Sequence, residues 1–283
     1  MRRSDGPPGG MSDTLTMGDT RPLEETLARV ARLGDRFELP VCGEETDMVP
    51  AAELIDPGGG RVNDFLAGLP ESEVSVKATA SRFLRSYTVR LASPAVAAWA
   101  LERRVPDVGP GNVRCRLGPH SRATELGLVR ADFSCLQDDE AAAAAQSALP
   151  ANPLLAWLQH KLFRLHLEPL VGQLAQHRLV SEKVLWGDVA AMCAAVFVYW
   201  LRPARGRSAT LDADAKALLE PAGTPWNGRG SWTVFQLGGE PTSVFVRDSC
   251  CVRYRFKDQA RCVDCSIIDE DERATRLQEL LGS

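Results

Sequence analysis

The sequence predicts an α+β protein that is mainly helical, with a long antiparallel helix pair, a small β-hairpin region and a C-terminal four-cysteine site. Three observations support this class: two long apolar segments joined by a few residues, two alternating segments joined by a Gly-Gly turn, and a dense group of cysteines. The chain has 283 residues, 45% hydrophobic and 25% charged, which is ordinary for a soluble globular protein.

The first 150 residues are expected to form a leader and an N-terminal α+β region. Residues 1–20 are rich in Gly, Pro and Ser and predict a disordered leader, which leaves residues 21–150 as the region itself. Its expected elements, in chain order, are a helix after Pro22, helices over residues 74–91 and 94–104 with Pro94 restarting the second, strands over residues 112–117 and 126–133, and a short helix over residues 138–145.

Residues 151–283 form the second predicted region, which begins with two long helices. An apolar stripe recurs at helical spacing from Pro153 to about Arg178, and a second apolar segment begins after Ser181. Because only a few residues join the two helices, we expect them to pack as an antiparallel pair.

The end of the chain predicts a hairpin and a closing helix around the cysteines. Residues 231–237 and 242–247 are rich in β-branched and aromatic side chains, and Gly238 and Gly239 supply the turn between them. Residues 270–281 have the pattern of a short amphipathic helix.

The net charge and the hydropathy of the chain restrict which partners and which cellular location we expect. The formal net charge of −4 gives no bulk affinity for nucleic acid. The most apolar run, residues 189–201, is shorter than the roughly 20 residues of a membrane-spanning helix, and no apolar core follows Arg2 and Arg3 as in a signal peptide. We expect a cytoplasmic protein with no nucleic-acid partner and no transmembrane segment, compatible with peripheral attachment to a membrane.

The cysteines are the main functional signal. Of eight, four are scattered, and Cys250, Cys251, Cys262 and Cys265 fall within sixteen residues as Cys-Cys-x10-Cys-x2-Cys. Four such thiolates suit either tetrahedral zinc or an iron–sulfur cluster, and spacing alone leaves both open. A [2Fe–2S] cluster has two irons that each need two thiolates, so it accepts neighbouring cysteines more readily than one zinc ion does. A vicinal disulfide would be strained, because its Cα atoms lie only about 3.8 Å apart.

Basic residues surround this motif in a chain that is acidic elsewhere. Arg253, Arg255 and Lys257 are the candidates for contact with an anionic substrate. The alternative is that these basic residues only form a solvent-exposed face, whose positive charge is balanced by the acidic residues 269–272.

The segment RDSCCVRYRFKDQARCVDCSI resembles the C-terminal motif of the FhuF-like ferric-siderophore reductases. The matching positions are Arg247, Ser249, Cys250, Cys251, Tyr254, Arg255, Cys262 and Cys265. The upstream segment VLWGDVAAMCAA, residues 184–195, is similar to the helix that often precedes the family's C-terminal strands. Ser266 departs from the pattern, since a proline often follows the last ligand.

The resemblance implies a [2Fe–2S] cluster on the four cysteines and one-electron reduction of siderophore-bound iron(III), which releases iron(II) in the cytoplasm. An external ferredoxin or flavoprotein is the expected electron donor, because the sequence has no Gly-x-Gly-x-x-Gly fingerprint of a nicotinamide site. The alternative function is a non-enzymatic binding module in which zinc staples the C-terminal strands.

Overall fold

The computed structural model describes residues 21–56, 61–67, 76–120, 122–178, 180–202, 209–237, 240–257 and 259–281. The predicted leader and the Gly238-Gly239 turn lie outside these ranges.

Helices dominate the described part of the chain. They are α1 (Arg21–Ala31), α2 (Ala51–Leu54), α3 (Arg61–Ala67), α4 (Val76–Glu102), α5 (Ala151–Gln159), α6 (Glu168–Arg178), α7 (Glu182–Ala195), α8 (Ala209–Leu219) and α9 (Glu270–Leu281). A π-helical segment, His160–Leu167, joins α5 to α6, and a second, Val196–Leu201, extends α7. The predicted α+β class, mainly helical, is confirmed.

The strands form small sheets. They are β1 (Val49–Pro50), β2 (Arg104–Pro106), β3 (Val113–Gly118), β4 (Arg122–Leu128), β5 (Phe133–Leu136), β6 (Ser147–Leu149), β7 (Gly230–Leu237) and β8 (Glu240–Arg247). One sheet has the order β1-β3-β4, a second has the order β2-β5-β6, and β7 pairs with β8 as an antiparallel hairpin. The hairpin and the closing helix α9 therefore lie where the sequence predicted them.

Helix α4 lies at the centre of the fold and differs from its prediction. The sequence predicts two helices with a restart at Pro94, but the structure has one continuous helix with Pro94 inside it. A proline inside a helix costs about 3 kcal/mol. The next turn, residues 95–98, is fully buried, and its packing offsets that cost.

The two long helices after residue 150 both exist, but their main partners differ from expectation. Helix α7 has its most extensive helical contact with α4, and its contact with α6 is smaller. The antiparallel pair is therefore not confirmed as the organising unit. The helix formed by α7 and its extension, Glu182–Leu201, is long and apolar enough to cross a membrane, yet 78% of its apolar window is buried, as in a core helix.

Two shorter predictions before residue 150 were wrong in detail. The expected helix over residues 138–145 is only a short 3-10 turn, Ala142–Ala144. Before it, Asp139 accepts a hydrogen bond from the Ala141 N–H and pairs with Arg104 at 2.8 Å. The expected strand over residues 126–133 is interrupted after Leu128. The amide of Asn112 holds this turn through bonds to the backbone of Arg130.

The hydrophobic core has one large part and two smaller parts among the described residues. The large cluster extends from Leu23 to Phe245 and includes side chains from both sides of residue 150. A second cluster packs the hairpin against α9. The third consists of Cys251, Cys262, Cys265 and Ile268, with Cys250 at its edge. The segment that bears the cysteines therefore lies between the hairpin and α9 in the chain and has a small core of its own.

Candidate metal centre

The four clustered cysteines lie on the segment that follows β8. Directly after the vicinal pair, Val252 has φ 51° and ψ 21°, a left-handed conformation that β-branched residues rarely adopt. This conformation turns the chain, and the Val252 N–H donates to Cys250 Sγ at 3.3 Å. The chain returns through a tight turn in which the Cys265 N–H donates to the Cys262 carbonyl at 3.1 Å.

The four thiols meet in two pairs. Cys251 Sγ lies 3.7 Å from Cys262 Sγ, and Cys250 Sγ lies 3.9 Å from Cys265 Sγ. None of them forms a disulfide. Neighbouring cysteines therefore face different ends of the Cys-x-x-Cys turn. Among the described residues, no three His, Cys, Asp or Glu side chains converge in the way that a single ion requires.

A buried arginine connects these thiols to the helical core. The Arg247 side chain is fully buried, with Nη1 2.5 Å from Asp188 Oδ1 and Nε 2.8 Å from Asp264 Oδ2. Its Nη2 donates to Cys251 Sγ at 3.4 Å. One guanidinium thus contacts helix α7, the Cys-x-x-Cys turn and a thiol.

Helix α4 completes this network. Arg85 Nη1 lies 3.2 Å from Asp188 Oδ1, and the Ser81 hydroxyl donates to Asp188 Oδ2 at 2.5 Å. Burial raises the pKa of Asp188 to about 6, so its carboxylate is ionised at neutral pH. Burial also opposes the ionisation of Asp264, but Arg247 and Arg85 hold its pKa below the usual value. In this network the cations Arg247 and Arg85 therefore face the buried anions Asp188 and Asp264.

The same arginines favour a thiolate at Cys251. The hydrogen bond with Cys262 and the charges of Arg247 and Arg85 together lower the pKa of Cys251 to about 4, against the effect of burial. The partner thiol, Cys262, keeps the proton, and its pKa is raised. The thiolate is the form that binds metal. The surroundings therefore favour the metal-binding thiolate form at Cys251.

Two glycines allow the elements around the site to approach closely. A Cβ atom on Gly187 would lie 2.5 Å from Ser249 Oγ, and one on Gly230 would lie 2.4 Å from the Val246 carbonyl oxygen. Gly187 is on α7 beside Asp188, and Gly230 is opposite Arg247 in the hairpin. Their missing side chains let α7 and β7 pack against the segment that leads to Cys250.

A large cavity opens beside the cysteines and includes Cys251 in its wall. Its volume is about 780 Å³. Of the basic residues named from the sequence, Arg253 lines this cavity, whereas Arg255 and Lys257 are exposed and do not line it. The other arginines of the wall come from distant parts of the chain.

Sequence reasoning missed the buried charges behind the cysteines. Asp188 occurs in the Trp-Gly-Asp segment that resembles the family helix, but nothing in the motif indicates its partners. Arg85 is 103 residues away from it in the chain, and Arg247 is 59 residues away. An acidic residue within a long apolar helix was the available signal, since such a charge is rarely buried without a partner.

The family comparison matches this architecture. A family described as "Ferric iron reductase FhuF-like transporter" matches residues 81–248. The match begins at Ser81 and ends just after Arg247. It therefore includes Arg85, Asp188 and Arg247 of the charged network but stops before the cysteines and Asp264. The chain belongs to the FhuF-like ferric iron reductase family. Its description indicates reduction of ferric iron. The search among curated proteins found no match.

Proposed function

We propose that this protein is an iron–sulfur oxidoreductase that reduces siderophore-bound iron(III) and releases iron(II) in the cytoplasm. The observation that supports it best is the arrangement of four thiols in two close pairs. With metal–sulfur bonds of about 2.3 Å, two thiolates on one tetrahedral metal lie about 3.8 Å apart. The distances of 3.7 Å and 3.9 Å agree with that value.

The donor set fits a [2Fe–2S] cluster better than one zinc ion. Two thiol pairs provide two ligands for each of two irons, whereas zinc needs all four sulfurs around one point. In this proposal Cys251 and Cys262 share one iron, and Cys250 and Cys265 share the other. A bound cluster would supply a site that accepts and donates one electron.

The surrounding residues would stabilise the ligands. Arg247 donates a hydrogen bond to Cys251 and is itself held by two aspartates, so its position is fixed. Cations and hydrogen bonds beside cluster sulfurs offset their negative charge and raise the reduction potential. Cys251 and Cys265 are almost fully buried, so water has little access to these two thiols.

The substrate follows from the chemistry of iron release. Siderophores hold iron(III) through hard oxygen donors, which bind the softer iron(II) less well. One electron delivered to the chelated metal therefore weakens the complex. We propose that the electron arrives from an external ferredoxin or flavoprotein.

Replacing Cys262 or Cys265 by Ser is expected to abolish the visible absorption of the anaerobically purified protein, because each substitution removes one of the ligands. Single-turnover reduction of a ferric siderophore should be lost in parallel. Cys42→Ser is the matched control: Cys42 is half-buried, its thiol donates to the Leu128 carbonyl, and its replacement should leave the spectrum intact. An unchanged spectrum in Cys262→Ser would exclude Cys262 as a ligand.

A further inference from the structure

The cavity beside Cys251 has an unusual concentration of positive charge. Its wall includes six arginines: Arg36, Arg82, Arg85, Arg90, Arg122 and Arg253. The carboxylate in the same wall is that of Asp35. The volume of about 780 Å³ lies within the range of small-molecule sites. This excess of cations exists in a chain whose net charge is −4.

Most of these arginines have no carboxylate partner within the described part of the chain. Arg85 pairs with Asp188, but the guanidinium of Arg36 lies over the ring of Trp200 at 4.2 Å, and that of Arg82 lies over Phe256 at 3.9 Å. Arg90, Arg122 and Arg253 also make no ion pair with a carboxylate of the described residues.

Arginines elsewhere in the fold are commonly paired. Arg104 binds Asp139 at 2.8 Å, and Arg116 binds Asp47 at 2.6 Å. Of the cavity arginines, Arg90 donates to the Ala123 carbonyl oxygen and Arg253 donates to the Gln259 side chain, but both partners are neutral. The cavity thus gathers cations whose charge is largely uncompensated.

The cavity arginines also repel one another. Burial lowers the pKa of Arg82, and the charges of Arg122 and Arg253 lower it further. Burial likewise lowers the pKa of Arg36, against the effect of Asp35, and Arg90 adds to the lowering. A bound anion would relieve this repulsion and accept charge-assisted hydrogen bonds from the planar guanidinium groups.

We propose that this cavity binds the ferric substrate, selecting anionic ferric chelates and discriminating against cationic ones. The inference rests on the proposed function for the meaning of the adjacent cysteines. Because Cys251 is part of the wall, a chelate held by the arginines lies next to the thiol pair from which the electron would leave. An anionic chelate is attracted by every unpaired arginine of the wall, whereas a cationic one is repelled.

Binding can be tested apart from electron transfer with gallium(III), which has the charge of iron(III) but is not reduced. The two probes are the trianionic gallium complex of a tris-catecholate and the monocationic gallium complex of a linear trihydroxamate amine. Calorimetry on the full chain should show the anionic complex binding at least about tenfold more tightly, with the preference decreasing at high salt.

Arg82→Gln and Arg122→Gln should each weaken binding of the anionic complex by about tenfold. Arg122 is exposed, so its replacement leaves the packing intact. Arg116→Gln is the control, because Arg116 is outside the cavity wall and pairs with Asp47 and Glu125. The Arg116→Gln variant should bind the anionic gallium complex as tightly as the native protein does.

Three results would overturn the proposal: equal or tighter binding of the cationic complex, no binding of either complex, or an unchanged affinity in both cavity variants. Selective binding by a chain that contains no iron and no sulfide would refute the electron-transfer function and retain the charge selectivity. A chain that contains iron and sulfide but binds both complexes equally would retain the electron-transfer function and refute the charge selectivity.

Discussion

Replacing Arg247 by Gln is expected to lower the free energy of unfolding by about 3 to 5 kcal/mol. The guanidinium is fully buried between Asp188 and Asp264, at 2.5 Å and 2.8 Å. Its loss leaves both carboxylates buried with one fewer cation. Arg85 compensates only in part, since it lies 3.2 Å from Asp188 and 4.0 Å from Asp264.

Urea denaturation of the purified protein measures this effect. Arg116→Gln is the control at an exposed ion pair and should cost less than about 1 kcal/mol. Adding Asp188→Asn to Arg247→Gln should recover part of the loss, because it removes one uncompensated carboxylate. A loss below about 1 kcal/mol for Arg247→Gln would contradict the charged network as the link between the cysteine segment and the core.

The second large expected effect is a loss of folding stability at acidic pH, caused by the buried side chain of His166. This side chain is fully buried, with Nδ1 2.6 Å from the Val108 carbonyl oxygen and Nε2 2.6 Å from the Tyr87 hydroxyl. Because a carbonyl can only accept, Nδ1 bears the proton and Nε2 accepts from the tyrosine. Burial lowers the pKa of His166 to about 4.

The sign of the pH effect follows from this depressed pKa. The unfolded chain takes up a proton on His166 below about pH 6.5, whereas the folded protein does not until about pH 4. The stability from neutral His166 is therefore complete above pH 6.5 and is lost as the pH falls toward 4. By pH 5 the loss is roughly 2 kcal/mol.

Comparison of the native protein with His166→Gln at pH 7 and pH 5 isolates this contribution. The substitution should cost roughly 2 kcal/mol less at pH 5 than at pH 7, since the variant has no proton to take up. Tyr87→Phe removes a hydrogen bond but keeps the imidazole, so its cost should change much less with pH. An equal cost of His166→Gln at both pH values would show that His166 titrates normally.

Sequence periodicity and residue spacing predicted those parts of the structure that are determined by neighbouring residues in the chain. The hairpin and α9 lie where alternation and amphipathicity placed them, and the cysteine spacing predicted a compact thiol site. Pro94 shows the limit of such reasoning. Proline predicts a helix boundary, but burial of the following turn stabilises a continuous helix, and burial depends on elements distant in the chain.

The charges of the site could not be predicted because the fold alone brings them together. Arg36, Arg90 and Arg253 are far apart in the chain, and each one separately has the pattern of a solvated residue. Their shared cavity exists because α4 packs against the neighbouring elements. The pairing of the thiols depends in the same way on the left-handed Val252, a conformation that its residue type disfavours.

The most direct measurement is the iron and acid-labile sulfide content of protein purified without oxygen. Two thiol pairs, each spaced for one metal, predict about two irons and about two sulfides per chain, in brown-red material. One zinc ion per chain in colourless protein, or the absence of both iron and sulfide, would contradict the account.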